Sequence, residues 1–167
     1  MDPHFDGVNM DELKIQLTEN QKSLVERMGV AYERHGLTPV AARILALMLV
    51  SEDPDLTFDQ IHATLGVSKS ATSNSLNMLL DTNKIEQITK LGERKRYFRN
   101  RILHWKEDIK KTHEELNNFV ELMRTNLKQR PGDTVEFNHN LKEMIDFIEY
   151  LQRELPVLYK RWEAGRK

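Results

Sequence analysis

The sequence predicts a mainly α-helical protein in which one two-stranded hairpin separates four shorter helices from two long ones. Three observations predict it. The turn signals Gly36, Pro39, Asp53-Pro54-Asp55, Gly66, Gly92 and Pro131-Gly132 are few, and long uninterrupted stretches lie between them. Within those stretches apolar residues recur at steps of three and four, the helical period. That period is lost only over residues 84–101, KIEQITKLGERKRYFRNR, where alternation replaces it. With 167 residues, 39% hydrophobic and 31% charged, the chain suits one domain with a single core, or a small domain plus an extension.

Residues 1–10, MDPHFDGVNM, form a flexible tail in this reading, and Met10 is a second candidate start. From Asp11 to His35 the residues Leu13, Leu17, Leu24, Met28, Ala31 and His35 step by four and three, with Gln21 filling the missing step, so one helix with one apolar stripe is expected over 11–35. Thr38-Pro39 is an N-cap followed by proline at the first helical position. It opens Val40 to Val50, a helix apolar nearly all round and therefore central. After the Asp53-Pro54-Asp55 break, Thr57 and Gln60 have capping-box spacing and start a short helix that ends at Gly66. Ser68 caps the next helix, which runs to about Asn83. In the hairpin, Leu91-Gly92-Glu93-Arg94 is the tip. Helical spacing returns at Ile102 and lasts to the C-terminus with one break at Pro131-Gly132, and Pro156 is expected to kink or end the last helix, leaving a short basic tail.

Two short helices joined by a turn containing Gly66 and followed by a hairpin make the plan of a winged helix-turn-helix, spanning residues 36–101. The second helix of such a unit enters the major groove of DNA. Thr72, Leu76, Leu79, Leu80 and Asn83 share its inward stripe, whereas Ser70, Ser73, Asn74 and Asn77 share the outward one. A solvated helix face is usually rich in Glu and Lys, because Ser and Asn compete with the helix backbone at a cost of roughly half a kcal/mol each. Base edges and phosphates would compensate: Asn can bind adenine bidentately, and short side chains allow close approach. Acidic residues would be repelled, and none occurs between Asp59 and Asp81. The hairpin supplies positive charge through Lys84, Lys90, Arg94, Lys95, Arg96, Arg99 and Arg101, against Glu86 and Glu93. Expected DNA contacts are therefore Ser68, which caps and can touch phosphate, Lys69 on the backbone, Ser70, Ser73, Asn74 and Asn77 on the bases, and Arg94, Lys95 and Arg96 on flanking backbone or minor groove.

The net charge of −1 argues against a nucleic-acid binder only when averaged over the chain. Between Gly66 and Arg101 there are eight Lys/Arg and three Asp/Glu, a net of +5 that leaves −6 elsewhere, so a basic face stands on an acidic body. The longest nearly apolar run, Val40 to Val50, is eleven residues and contains Arg43, well short of the roughly 20 a bilayer crossing needs. No secretory leader is evident, and zero cysteines suits a cytoplasmic protein without disulfides or thiolate chemistry. Six histidines, at 4, 35, 62, 104, 113 and 139, include no His-x-x-x-His pair, so no metal is expected, and no phosphate loop or nucleophile elbow suggests catalysis or a cofactor. The competing reading is a winged helix used as a protein-interaction scaffold without DNA binding, which fold by itself does not decide. An RNA-binding role lacks exposed aromatics among the basic groups, apart from Tyr97 and Phe98.

The segment from Gly36 to Arg99 resembles the winged helix of the MarR superfamily of bacterial transcription regulators, especially its GbsR-like branch. The resemblance lies in Gly36-Leu37-x-Pro39, Arg43-Ile44, Leu65-Gly66-Val67-Ser68-Lys69-Ser70 and the wing Gly92-Glu93-Arg94-Lys95-Arg96-Tyr97. Two departures stand out. Thr72 occupies a position that is generally aliphatic, and Asn83-Lys84 replaces the usual glycine before the first wing strand, where Asn tolerates a left-handed turn. The resemblance implies a homodimeric repressor that reads a pseudo-palindromic operator in double-stranded DNA.

Beyond the wing, residues 102–167 carry two heptad seams. Ile102, Trp105, Ile109, Thr112, Leu116, Phe119 and Met123 form one, and Phe137, Leu141, Met144, Ile148, Leu151, Leu155 and Leu158 the other. Such helices cannot bury their stripes on a small domain alone, so they pair with each other, with the helix over 11–35 or with a second chain. The expected dimer interface comprises Leu17, Leu24, Ile109, Leu116, Met123, Leu141, Ile148, Leu151 and Leu155. The family resemblance further implies a small effector bound between winged domain and dimerisation helices, of choline type in the GbsR-like branch. An aromatic cage can hold such a cation, and the candidates are Tyr32, His35, Trp105, Phe119, Phe137 and Tyr150.

Overall fold

The structure, a computed structural model, describes residues 10–166, so the proposed tail lies outside the described residues except for Met10. The chain divides into two compact units, residues 1–103 and 104–167. The first holds α1 (Met10–Leu13), α2 (Glu19–Arg34), α3 (Pro39–Val50), β1 (Leu56–Thr57), α4 (Phe58–Leu65), α5 (Lys69–Asp81), β2 (Ile85–Thr89) and β3 (Arg96–Asn100). After a 3₁₀ turn at Arg101–His104, the second holds α6 (Trp105–Gln129) and α7 (Val135–Ala164). Among the described residues no helix is long and apolar enough to cross a membrane.

The helix expected over 11–35 is broken. Residues 14–18 leave the helical path, and α2 starts afresh because Thr18 and Gln21 form a capping box: Gln21 N–H donates to Thr18 Oγ1 at 3.2 Å, and Thr18 N–H donates to Gln21 Oε1 at 2.8 Å. Gln21 is therefore a capping residue, not a filler of an apolar stripe. The Ile15 N–H donates to Thr64 Oγ1 at 2.9 Å, tying the broken segment to α4, and Ile15 and Leu17 pack on the core of the first unit. Leu17, expected at a dimer interface, thus already has an intrachain partner, whereas Leu24 is 42% exposed.

The apolar α3 buries Ala41, Ala42, Ile44, Leu45, Ala46, Leu47 and Met48. Around it, in one core, lie Val25 of α2, Ile61 of α4, Leu76 and Leu79 of α5, and Leu56, Ile85 and Phe98 of the sheet. The sheet has three antiparallel strands in the order β1-β3-β2, pairing Leu56 with Phe98 and Ile85 with Asn100. The two-residue strand β1 was not expected, and it ties the chain before α4 to the second strand of the wing. Both departures from the family pattern are accommodated locally. Thr72 is wholly buried, and its hydroxyl donates to the Ser68 carbonyl at 3.0 Å. Asn83 adopts a left-handed conformation with φ 53°.

In the second unit α6 and α7 form an antiparallel hairpin. Val120, Leu141 and Ile145 are buried between them, with Met123, Leu127 and Ile148 packed alongside. Arg124 pairs with Glu149, and Lys106 Nζ donates to Glu163 Oε1 at 2.9 Å. Trp105 meets Tyr159 and Trp162 edge-on, with ring centroids 6.5 and 5.4 Å away. These contacts hold the end of α7, which passes through Pro156 and continues to Ala164 instead of ending there. Proline removes one backbone donor, and beyond it Tyr159 and Trp162 still pack against Trp105.

The left-handed turns permit a direct check. Gly66 has φ 62°, and a Cβ there would meet nothing within 4 Å, so Gly66→Ala should destabilise the fold by about 1 kcal/mol through backbone strain alone. Asn83→Gly should be neutral or slightly stabilising. Urea unfolding of the two variants measures both, and equal losses would contradict the assigned conformations.

Candidate nucleic-acid interface

The helix-turn-helix is built by local capping. Thr57 and Gln60 form the capping box that starts α4, with Gln60 N–H to Thr57 Oγ1 at 3.2 Å and Thr57 N–H to Gln60 Oε1 at 2.8 Å. Gly66 ends α4, its N–H donating to the His62 carbonyl. One helical turn back, His62 Nδ1–H donates to the Val67 carbonyl, so the imidazole clasps the turn between the two helices. Ser68 then caps α5 by accepting from Ala71 N–H at 3.2 Å, and its Oγ also lies 3.1 Å from Ser70 Oγ.

Helix α5 presents two distinct faces. Thr72, Ser75, Leu76 and Leu79 are buried, while Ser68, Lys69, Ser70, Ser73, Asn74 and Asn77 are exposed. Ser75 is an inward residue that the apolar pattern missed, because serine carries no hydrophobic signal. Leu80 is half-buried, and Asn83, assigned by spacing to the inward stripe, lies beyond the helix and is exposed in the left-handed turn. The first turn of α5 contains no acidic side chain, so no carboxylate there offsets the positive end of the helix dipole.

The wing divides its cations into two sets. Asp55, 7% exposed, accepts from Arg99 Nε at 2.6 Å and pairs with Lys90 Nζ at 3.2 Å. Lys90 also lies 4.2 Å from the centre of the Tyr97 ring, whose hydroxyl donates to Glu93. Lys90 and Arg99, counted among the basic residues of the hairpin, are thus structural braces. Arg94, Lys95 and Arg96 are exposed, and among the described residues no ion pair holds them. Sequence reasoning passed over Asp55, which read as part of a turn. Its signal was an acidic residue just before a strand whose partner strand carries Arg99. The Arg99 hydrogen bond, helped by Lys90 and opposed by burial, holds the Asp55 carboxyl below the ordinary carboxylate range.

Of the six proposed ligand residues, Tyr32 and His35 belong to the first unit and Trp105, Phe119, Phe137 and Tyr150 to the second, where they are spread along the hairpin. Tyr32 packs on the core of the first unit. Trp105 sits at the end of the hairpin that holds Tyr159 and Trp162, whereas Phe137 lies 22 residues before Tyr159 in α7, about 33 Å along a helix, with the Arg130 guanidinium 4.0 Å from its ring. Phe119 and Tyr150 are half exposed on the same unit, and His35 caps the end of α2.

Comparison with known proteins places this geometry. A model described as an MmpR5-like MarR family transcriptional regulator matches residues 104–165, and one described as a bacterial regulatory protein of the arsR family matches residues 41–85. The HTH-type transcriptional regulator MmpR5 of Mycobacterium tuberculosis (strain ATCC 25618 / H37Rv) is 25% identical over 128 residues, 77% of this chain and 78% of that protein. The chain is similar to MarR-like helix-turn-helix transcriptional regulators. A solved structure described as a transcriptional regulator superposes on it with a TM-score of 0.69 at 24% identity, covering 87% of this chain and 99% of that one, a likeness of fold. The two matched segments leave residues 86–103, with the wing strand β3, outside them.

The Asp55 brace predicts a pH dependence. A carboxyl whose pKa is lower in the folded state stabilises the fold above its unfolded value near 4, and that contribution is lost as pH falls through the folded value. Asp55→Asn should therefore cost about 1–3 kcal/mol at pH 7, and the gap to the native protein should close below about pH 4. Denaturation of both proteins across pH measures this, and a gap unchanged at low pH would contradict it.

Proposed function

We propose that this regulator is a homodimeric repressor that binds double-stranded DNA sequence-specifically, with α5 in the major groove and the wing tip on the adjoining backbone. The observation that carries the reading is the exposed α5 face of Ser70, Ser73, Asn74 and Asn77, short hydrogen-bonding groups in an acid-free stretch of 21 residues between Asp59 and Asp81. A protein-binding face would be expected to present aromatics and large apolar groups there. Ser68 and Lys69 then meet phosphate at the start of α5, the four face residues meet base edges, and Arg94, Lys95 and Arg96 hold the flanking backbone or minor groove.

Dimerisation is supported by what the α6–α7 hairpin leaves uncovered. Leu141, Met123 and Ile148 are used within the hairpin, but Ile109, Phe119, Leu122, Phe147, Tyr150, Leu155 and Leu158 are each about half exposed or more, beyond what a monomeric surface ordinarily carries. Leu116 and Leu151, half-buried, lie between the two sets. A second copy covering these stripes would present two α5 helices to successive major grooves of a pseudo-palindrome. A choline-like effector rests on the GbsR-like resemblance and on the supply of aromatic side chains. Trp105, Tyr159 and Trp162 already have the Lys106 ammonium 5.8–6.0 Å from their ring centres, the kind of contact a quaternary ammonium group makes.

Two measurements test the reading. Asn74→Ala should relax sequence preference at one position per half-site, a loss of about 1–3 kcal/mol on the preferred sequence only, while Arg94→Ala should weaken all sequences and reduce the salt slope by about one. Equal effects of both variants on specific and random DNA would overturn the role assignment. Sedimentation at micromolar concentration should give a dimer, and a stable monomer would contradict the use of the exposed stripes.

A further inference from the structure

The apex of the wing is a leucine standing wholly in water. Leu91 is 106% exposed, more than any other large apolar residue described. Single exposed apolar side chains are common on protein surfaces, so exposure alone decides nothing. Its setting does. Lys90 is bound back to Asp55 and Tyr97, and Glu93, the one acid between Gln87 and Asn100, is turned back onto the Tyr97 hydroxyl. Gly92 has φ +84°, and a Cβ there would meet nothing within 4 Å, so nothing packs against the turn at that point. What the tip projects is an apolar side chain, with the exposed Arg94, Lys95 and Arg96 coming after Gly92 and Glu93.

Resting on the DNA-binding reading above, we propose that Leu91 is a minor-groove probe that makes the protein prefer A·T pairs beneath the wing. The minor-groove floor of an A·T pair offers acceptors only, whereas guanine adds a projecting amino donor. An apolar side chain leaves that donor unpaired when it covers it and is lifted from the floor by it. A·T-rich tracts also have a narrow groove whose sugar walls an apolar group can touch on both sides, and its strong negative potential draws in the adjoining cations. Apolar side chains entering the minor groove are an established device of DNA recognition in general. Leu91 supplies the discrimination, and Arg94, Lys95 and Arg96 supply the attraction.

The test uses the full chain and duplexes that share the half-sites recovered from a random pool, differing only in the pairs beneath the wing: A·T, G·C or inosine·C. An inosine·C pair keeps the major-groove pattern of G·C but lacks the minor-groove amino group. By fluorescence anisotropy the native protein should bind the A·T and inosine·C duplexes alike and the G·C duplex roughly five- to tenfold more weakly. Leu91→Ala and Leu91→Ser, whose folding is checked by circular dichroism, should bind all three within about twofold of one another. Retention of the native preference in these variants, or native binding that treats inosine·C like G·C, would overturn the role of Leu91. Failure of the native protein to bind any selected duplex would instead overturn the DNA-binding reading, and the inference with it.

Discussion

Everything in the winged unit hangs on the burial of one helix. Helix α3 is apolar nearly all round, and seven of its twelve residues are buried. Elements that would be marginal alone, the eight-residue α4 and the five-residue strands β2 and β3, gain their stability by covering it. Its one charged side chain, Arg43, runs out beneath α2, where Nη1 meets Glu33 at 2.7 Å and Nη2 meets Glu26 at 2.9 Å. Gly29 makes that crossing possible, since a Cβ there would lie 3.1 Å from Arg43 Cγ. Because Leu76 and Leu79 of α5 share this core with Ile85 and Phe98 of the wing, α5 and the hairpin are fixed to one body, and in the proposed DNA-binding mode they would meet the duplex with a set spacing.

Charge is sorted on the same scaffold. A chain of net −1 places +5 between Gly66 and Arg101, yet Asp55 draws Lys90 and Arg99 inward. The brace converts two cations that would be diffuse surface charge into the base of a firm hairpin, and the outermost cations are concentrated at Arg94, Lys95 and Arg96. In the proposed mode the attraction to phosphate would be strongest at the wing tip, while the outward face of α5 from Ser70 to Asn77 stays uncharged for hydrogen bonding to bases. Attraction and major-groove reading would thereby be carried by different elements, a division that suits salt-dependent, sequence-specific binding.

Much of this unit was legible in the sequence because its signals are local. The Thr57–Gln60 capping box, the Ser68 cap, the Gly66 and Asn83 turns and the two faces of α5 each depend on residues within one or two helical turns. Features that depend on partners were harder to read. A strand of two residues, β1, has no period to detect, and its pairing with β3 spans some 40 residues. Gln21 fits the apolar spacing of a long helix, but the Thr18 cap competes for it and wins. In the long helices a heptad seam reports that a stripe is buried without saying against what: the hairpin uses Val120, Leu141 and Ile145, and two of these fall outside the seams read from spacing. Aromatic content likewise could not show that Trp105 joins Tyr159 and Trp162 across the hairpin, far from Phe137.

The central claim is that an acid-free helix face and a basic wing on one rigid body read a two-fold DNA sequence. Selection of bound sequences from a random duplex pool, repeated at several salt concentrations, tests it most directly. The account predicts a recovered pseudo-palindrome with half-sites about one helical turn apart and a logarithm of affinity that falls linearly with the logarithm of salt. Recovery of no two-fold motif, together with affinity indifferent to salt, would contradict it.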